Sequence, residues 1–535
     1  MSENEQELPL GAVGPSEVAS QEDSLDVKQL GLFESIRSLG YVFWIVGLME
    51  MVERLAFYGT RSVATLYGKD PVSKGGLGVT PAEMGILFFW WMIFQSWVPV
   101  FTGGIADRYG YKKAIFASTV LKIVGYLIMS AFPTYGGFFA GALVLALGTA
   151  IFKPGIQGTL VKCTNRSNSS MAWGIFYQTV NIGAFMGPLL AGYMRKMEWR
   201  YVFLACAAII CLNFLLLLTY REPGIEDRLA REEARKKSGV KQRPMIFDTL
   251  GELFKPHLFL FVAIFSGFYF MFYSLFDVLP NYIDDWVNSS DVVASAGSLV
   301  HKPDSAAPAT LIQKIAGFVM IVDKKGEQIQ AEGIMNVNAG MIMLTCFFFG
   351  YLSSRVRITT SIWFGTGLAT LALLICGSST HGWLCIGGII CFSAGEMLSS
   401  PKFSEFVGNL APADKKGTYL GLCQIAPGIG AALEGYLGLT LYGKLASKEA
   451  FARQMLSEKG FSPEQLKDVK VGEAFDKLVS VLGQTPQEVT QTLWQLHHPE
   501  RFWYVMASVG VCTTIGLIWY GSWVYDYLKR NPQKS

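Results

Sequence analysis

The sequence predicts an all-α membrane protein, with twelve spanning helices in two pseudo-symmetric six-helix bundles. Three observations carry that expectation. The first is composition: of 535 residues, 51% are hydrophobic and only 16% charged, whereas a soluble domain carries about 25% charged residues. With 37 Phe and 13 Trp and a mean hydropathy of +0.33, the chain is suited to a lipid solvent. The second is spacing, because apolar runs of the roughly 20 residues needed to cross a bilayer recur along the chain. They fall at 40–64, 84–104, 113–132, 137–160, 172–194 and 201–220, then at 257–280, 334–352, 359–376, 383–403, 417–442 and 501–528. The third is the break between the two sets, 221–256, which contains REEARKKSGVKQR and is the most basic stretch of the chain.

Basic loops favour the cytoplasmic side. With the central segment inside, the loops DRYGYKK, KCTNR, SSRVR and ADKKG also fall inside, and only RKMEWR faces the other way. Both termini are then cytoplasmic, in a multi-pass protein expected in the plasma membrane. The expected organisation is a disordered cytoplasmic tail (1–37), an N-terminal bundle (38–220), a basic linker (221–256), a C-terminal bundle (257–528) and a short tail (529–535). Two outer inserts, 281–333 and 443–500, interrupt the second bundle. In the first, GFVMIVDKKGEQIQ suggests a hairpin around Asp323–Gly326. In the second, Ser462-Pro463-Glu464-Gln465 and Thr485-Pro486-Gln487-Glu488 carry helix-start signals.

Several function classes are disfavoured. A net charge of +3 is too small for a nucleic-acid partner. The nine cysteines contain no CxxC, so neither a zinc site nor a disulfide framework is indicated. The N-terminus has no basic stretch followed by an apolar core, so it does not read as a signal peptide. HExxH, GxSxG and clusters of His or Cys at lipid depth are absent from the sequence, which disfavours an enzyme. The expected partners are membrane lipid and a small solute, with the chain acting as a monomer.

Charges at bilayer depth cost about 2.5–3.5 kcal/mol on insertion scales and so mark function. The first span, GLMEMVERLAFYGTRSVATLY, is the densest. At ~100° per residue, Glu50, Glu53, Arg54, Phe57 and Arg61 share one face about 100° wide. Further charges are Lys153 in span 4, Asp277 in span 7 and Glu396 in span 10, and lone amides are Asn181 and Asn338. Spans 1 and 7 run outward, and spans 4 and 10 run inward. Arg61 and Asp277 therefore sit at matched depth near the outer side, and Lys153 and Glu396 at matched depth nearer the inner side. If the halves are pseudo-symmetric, these are two opposite-sign gate pairs, one toward each side of a central cavity.

GGIADRYGYKK, with Gly104, Asp107, Arg108 and Gly110, resembles the loop motif of the major facilitator superfamily. Glu50-Met51-Val52-Glu53-Arg54-Leu55-Ala56-Phe57-Tyr58-Gly59 resembles the ExxERFxYYG signature of the proton-dependent oligopeptide transporter (POT) family, and Arg61 continues it. GTAIFKPG, FYQTVNIGA, LFD, NVNAG and GEMLSSPKFSEFVGNLAP extend the likeness over nearly all the spans and neither insert. The resemblance implies a major facilitator fold and proton-coupled import of di- and tripeptides by alternating access, with no cofactor beyond the coupling proton. It implies that Glu50, Glu53 and Arg54 couple the proton. It also implies that Arg61 and Lys153 receive the peptide carboxylate, that Asn181, Asn338 and Glu396 hold the amino end, and that Tyr58 lines the cavity. The sequence departs from the family pattern at Leu55, Phe57, Trp173, Gln178, Val278 and Ala339. The alternatives are a symporter of the same fold for another organic solute or nitrate, and a transport-inactive sensor.

Overall fold

In the computed structural model the described residues are 32–164, 168–226, 251, 253–301, 308–378, 380–410 and 422–530. The expected tail up to residue 31, most of the basic linker, the start of the eleventh span and residues 531–535 lie outside them. The described residues are overwhelmingly helical, and the only extended pairing among them is two isolated bridges.

Twelve membrane helices follow one another along the chain. The first bundle is α1 (Tyr41–Arg61), α2 (Pro81–Tyr109), α3 (Tyr111–Ala131), α4 (Tyr135–Cys163), α5 (Ser169–Arg195) and α6 (Trp199–Thr219). The second is α7 (Pro256–Asp277), α8 (Ala331–Ser354), α9 (Ile358–Gly377), α10 (Gly382–Leu410), α11 and α12 (Arg501–Arg530). Helix α11 is a relay of Ile425–Leu433, a π turn at Glu434–Gly438, and Leu439–Leu445. Eight of the twelve are long and apolar enough to span on those grounds alone. Among the others, α1 and α11 carry buried charges in otherwise apolar runs. Several helices outrun their expected ends: α2, α4 and α10 have 29 residues each, about 44 Å at 1.5 Å per residue, so they project beyond a roughly 30 Å hydrocarbon core. Helix α7 stops at Asp277, and a new helix, Leu279–Trp286, starts with Pro280 in its first turn, where a missing N–H does no harm.

Packing repeats with a shift of six helices. α1 packs on α5 and α6, α3 on α4 and α6, and α2 on α4; α7 packs on α11 and α12, α9 on α10 and α12, and α8 on α10. The contacts correspond in detail. α3 crosses α4 at Gly125 and Gly141, where an added Cβ would lie 2.8 and 2.7 Å from the facing carbonyl oxygens. α9 crosses α10 in the same way at Gly365 and Gly395, with 2.6 and 2.5 Å. Small residues are what allow helix backbones to approach this closely in lipid. Ser118 Oγ donates to the Gly148 carbonyl at 2.6 Å, and across the corresponding helix pair, one turn nearer the crossing, Ser361 Oγ donates to the Leu398 carbonyl at 2.7 Å. The bundles meet through α2 on α11 and α5 on α8, again a symmetric pair.

Both inserts emerge on one face, here the insert face; the opposite one is the tail face. The hairpin around Asp323–Gly326 forms, with Val322 and Ile329 bridged antiparallel and Gly326 at φ 73°. Ser462 and Thr485 both close capping boxes. The second insert reaches the first bundle: Ser73 Oγ donates to Glu473 Oε1 at 2.7 Å, and Lys74 pairs with Asp476 at 3.3 Å.

Candidate functional site

Gly183 and Gly187 on α5 let α1 press close. A Cβ at Gly183 would lie 2.5 Å from the Met51 carbonyl oxygen, and one at Gly187 2.6 Å from the Gly59 nitrogen. This contact fixes the rotation of α1 and turns its charged face inward. Arg54 Nε donates to Glu50 Oε1 at 2.7 Å and lies 3.2 Å from Glu53 Oε2. Lys122 Nζ on α3 lies 3.7 Å from Glu53 Oε1 and 3.5 Å from the centre of the Phe152 ring. Thr149 Oγ1 on α4 donates to Glu53 at 3.5 Å. Lys153 faces this same group, within the field of Glu50, Glu53 and Arg54. The cluster thus holds two carboxylates and three cations, all from the first bundle.

Arg61 leaves that group and crosses to the second bundle. Its Nη2 donates to Asp277 Oδ2 at 2.6 Å, with both side chains almost wholly buried. The guanidinium lies 4.1 Å from the Phe88 ring centre and 5.3 Å from that of Trp91, stacking that suits a desolvated arginine.

A narrow central cavity lies between the bundles, lined by Tyr58, Asn181, Asn336, Asn338, Phe272, Phe276 and Glu396 among others. At about 50 Å³ it has room for a few waters. Asn338 Nδ2 donates to Glu396 Oε2 at 3.1 Å and to Ser393 Oγ at 3.0 Å, which aims the carboxylate. Asn181 Nδ2 donates to the Tyr177 carbonyl of its own helix at 2.9 Å. Four residues assigned to substrate by resemblance, Tyr58, Asn181, Asn338 and Glu396, therefore share one cavity. Arg61 and Lys153 are not brought to it: one is committed to Asp277, the other faces the α1 carboxylates. Among the described residues Lys153 and Glu396 form no ion pair. Gly110 of the loop motif has φ 100°, a conformation that favours glycine; the side chains of Gly104-to-Arg108, including Asp107, lie outside the described ones.

Three residues escaped the sequence reading. Lys122 and Glu434 are single charges inside apolar runs, the same signal that drew attention to Lys153 and Glu396. Asn336, two residues before Asn338, has both amide atoms buried without a partner in the cavity wall. Gln178, a departure from the family pattern, joins the bundles: its Nε2 donates to the Met343 carbonyl of α8 at 2.6 Å.

Two further layers of charge join the bundles on the insert face. Arg195 of α5 pairs with Glu332 of α8 at 3.2 Å. At the rim, Lys69 donates to Asp284 at 2.5 Å and Asp285 at 2.6 Å, and Asp285 also accepts from Tyr442 at 2.5 Å. Burial works upward on the Asp284 carboxyl, but the Lys69 ammonium, helped by Arg195, holds it down at about 2. Lys448, from the second insert, is pushed down to about 8 by burial. Among the described residues, every ion pair between the bundles is on this face.

The model of the Major Facilitator Superfamily matches residues 42–301, and the twelve helices repeat six by six in the manner just described. That match spans just under half of the chain, and the chain has the major facilitator fold. It is 23% identical over 367 residues to the multidrug resistance protein MdtH of Edwardsiella ictaluri (strain 93-146), covering 68% of this chain and 78% of that protein. It is 31% identical over 164 residues to the peptide transporter YePEPT of Yersinia enterocolitica subsp. palearctica serotype O:3 (strain YE-P4), covering 29% of this chain and 32% of that protein. The fold matches the crystal structure of a POT family transporter in complex with a thioalcohol conjugated peptide, at 15% identity and a TM-score of 0.62, over 91% of this chain and 99% of that one. The chain is thus a multi-pass membrane transporter of the major facilitator fold, and its resemblance is to the POT family.

Proposed function

We propose that this transporter is a proton-coupled symporter that imports di- and tripeptides by alternating access. One observation carries the reading: a single cavity between the bundles presents a carboxylate, Glu396, among unpaired and aimed amides, while cations stand just outside it on α1 and α4. A zwitterion needs that division, an acceptor set for its ammonium end and a cation for its carboxylate. The resemblance to the POT family and the partial match to a peptide transporter support the same reading.

In this mechanism the insert face is the outer one and is closed here by Arg61–Asp277, Arg195–Glu332 and Lys69–Asp284. Opening it breaks those pairs and frees Arg61 to meet a peptide carboxylate beside Tyr58. The amino end binds Glu396, held in aim by Asn338, with Asn181 across the cavity. Protonating Glu50 or Glu53 loosens Arg54 and releases Lys153 from the α1 carboxylates, so that Lys153 turns to the ligand or, with the site empty, to Glu396 as the inner gate. A membrane potential supplies ~2.3 kcal/mol per charge per 100 mV, sufficient to concentrate substrate. At about 50 Å³ the cavity is smaller than the roughly 300–1,000 Å³ of ligand pockets, so the bundles must part to admit a dipeptide.

Proteoliposome uptake of dialanine, trialanine, free alanine and nitrate, each with and without an inward proton gradient, tests this. Gradient-driven uptake of the two peptides alone is the expected result. Uptake of nitrate or alanine in their place assigns the cavity to another solute, and uptake indifferent to the gradient removes the proton.

A further inference from the structure

Glu434 is a carboxylate in the apolar run of α11, wholly buried, and it opens the π turn Glu434–Gly438. π turns are uncommon and often sit at functional sites. This one swings the Glu434 side chain toward α7, where it faces Asp277, Ser274 and Arg61. Neither Glu434 oxygen has a hydrogen-bond partner, and nor does Asp277 Oδ1, whose other oxygen takes Arg61 Nη2. The groups that face this spot are few. α1 brings Arg61, α7 brings Asp277, Ser274 and Tyr273, and α2 brings the rings of Phe88 and Trp91. Among the described residues no second cation faces it.

Two carboxylates facing one guanidinium, with only Asp277 in contact with it, leave a net negative charge sealed away from water, where an unpaired ion is expensive enough that a group neutralises instead. Like charges this close cannot both ionise, and one proton shared between them satisfies an oxygen on each. We infer that Glu434 and Asp277 form a shared-proton carboxyl pair beside Arg61, a proton-binding site separate from Glu50, Glu53 and Arg54. The proton comes from water on the insert face while that face is open, and it sits on a carboxyl oxygen between Glu434 and Asp277 once it closes. Sealing the face therefore takes up one proton, and acid favours the sealed state. The consequence for transport rests on the alternating-access reading; the proton uptake itself does not.

The test is cysteine accessibility, without substrate or gradient. Ser62, at the insert-face end of the cavity, is replaced by Cys in a background with Cys211→Ser and Cys512→Ser, and its labelling rate, divided at each pH by that of the same cysteine in the unfolded protein to remove the titration of the thiol itself, is followed from pH 5 to pH 8. Labelling is expected to rise with pH, by up to about tenfold per unit within the titrating window. Glu434→Gln, the same shape and permanently neutral, is expected to stay sealed and flat across the range, while Glu434→Asp keeps the dependence. In the infrared, a protonated-carboxyl band present at neutral pH in the parent is expected to vanish in Glu434→Gln. The rival arrangement, with both carboxylates ionised on the two Nη atoms of Arg61, predicts no such band and labelling that ignores pH. Either result, or a pH dependence that Glu434→Gln leaves intact, overturns the proposal. Since no transport is measured, uptake indifferent to a proton gradient bears on the symport reading alone.

Discussion

On the insert face, three layers of opposite charge cross between the bundles, from the sealed Arg61–Asp277 pair through Arg195–Glu332 to the partly exposed Lys69–Asp284. On the tail-face side of the cavity, Lys153 and Glu396 stand apart: Lys153 lies in the field of Arg54, Glu50 and Glu53 without an ion pair among the described residues, and Glu396 takes its hydrogen bond from Asn338. The same kind of residue pair at mirrored positions is thus engaged at one end and disengaged at the other. The layers are also unequal. Removing one partner of a buried pair costs about 3–5 kcal/mol because it strands a charge, whereas an exposed pair contributes about 0–1 kcal/mol. Closure of the insert face depends on its deepest layer, and the rim adds little.

The largest expected effect comes from the disengaged side. With Glu50→Gln and Glu53→Gln combined, Arg54 and Lys122 lose their ion-pair partners and the proton loses its carboxylates. Concentrative uptake into proteoliposomes is expected to disappear, while exchange of internal for external substrate persists. A double variant that still accumulates substrate under a proton gradient removes these residues from coupling.

Asp277→Ala strikes the engaged side. Combined with Glu434→Gln, so that no carboxylate is left facing Arg61, it strands the guanidinium and shifts the balance between closed and open insert face by roughly two to four decades, from the ~3–5 kcal/mol above. Labelling of Ser62→Cys from the insert side is expected to rise accordingly. If labelling stays unchanged, the bridge holds the fold and gates nothing.

Third in size, Glu396→Gln and Lys153→Ala probe the ends of the ligand. A hydrogen bond to a charged group contributes about 1.5–3 kcal/mol, so affinity is expected to fall tenfold to a hundredfold. Glu396→Gln should spare N-acetylated dipeptides, and Lys153→Ala should spare carboxyl-amidated ones, in competition with a labelled substrate. Equal losses for blocked and free ligands assign both residues to packing or to the proton.

Much of this contrast is legible in the sequence. The twelve runs, the basic break and the charged face of α1 are periodic, local signals, and so are the capping boxes at Ser462 and Thr485. The pairing of Arg61 with Asp277 follows from depth along two helices that run the same way. What does not follow is rotation about each helix axis. Gly183 and Gly187 set α1 against α5, and that contact decides which way the α1 charges face. Lys122 and Glu434 are hidden for a different reason: one charge barely lowers the mean hydropathy of an apolar run, and only burial reveals that it has nowhere to go. The Lys69 layer lies in short helices beyond the spans, where charged residues are ordinary.

The smallest effect sharpens the comparison most. Asp284 is about a third exposed, with 38% of its side chain accessible, and the Lys69 ammonium holds its carboxyl at about 2. A carboxylate held below its ordinary value stabilises the folded arrangement above that ordinary value, about 3.9, and loses the contribution as pH falls through about 2. Between pH 5 and pH 8 the rim pair stays fully ionised, so acid in that range cannot loosen it. Lys69→Ala is therefore expected to raise Ser62→Cys labelling by no more than about fivefold, the upper end for a pair of ~1 kcal/mol, and by the same factor at pH 5.5 and pH 7.5. A Lys69→Ala effect that grows or shrinks across that range means that the rim titrates with the deeper layers. A pH-independent effect separates the two, and leaves any acid sensitivity of the insert face to the carboxyls sealed beneath it.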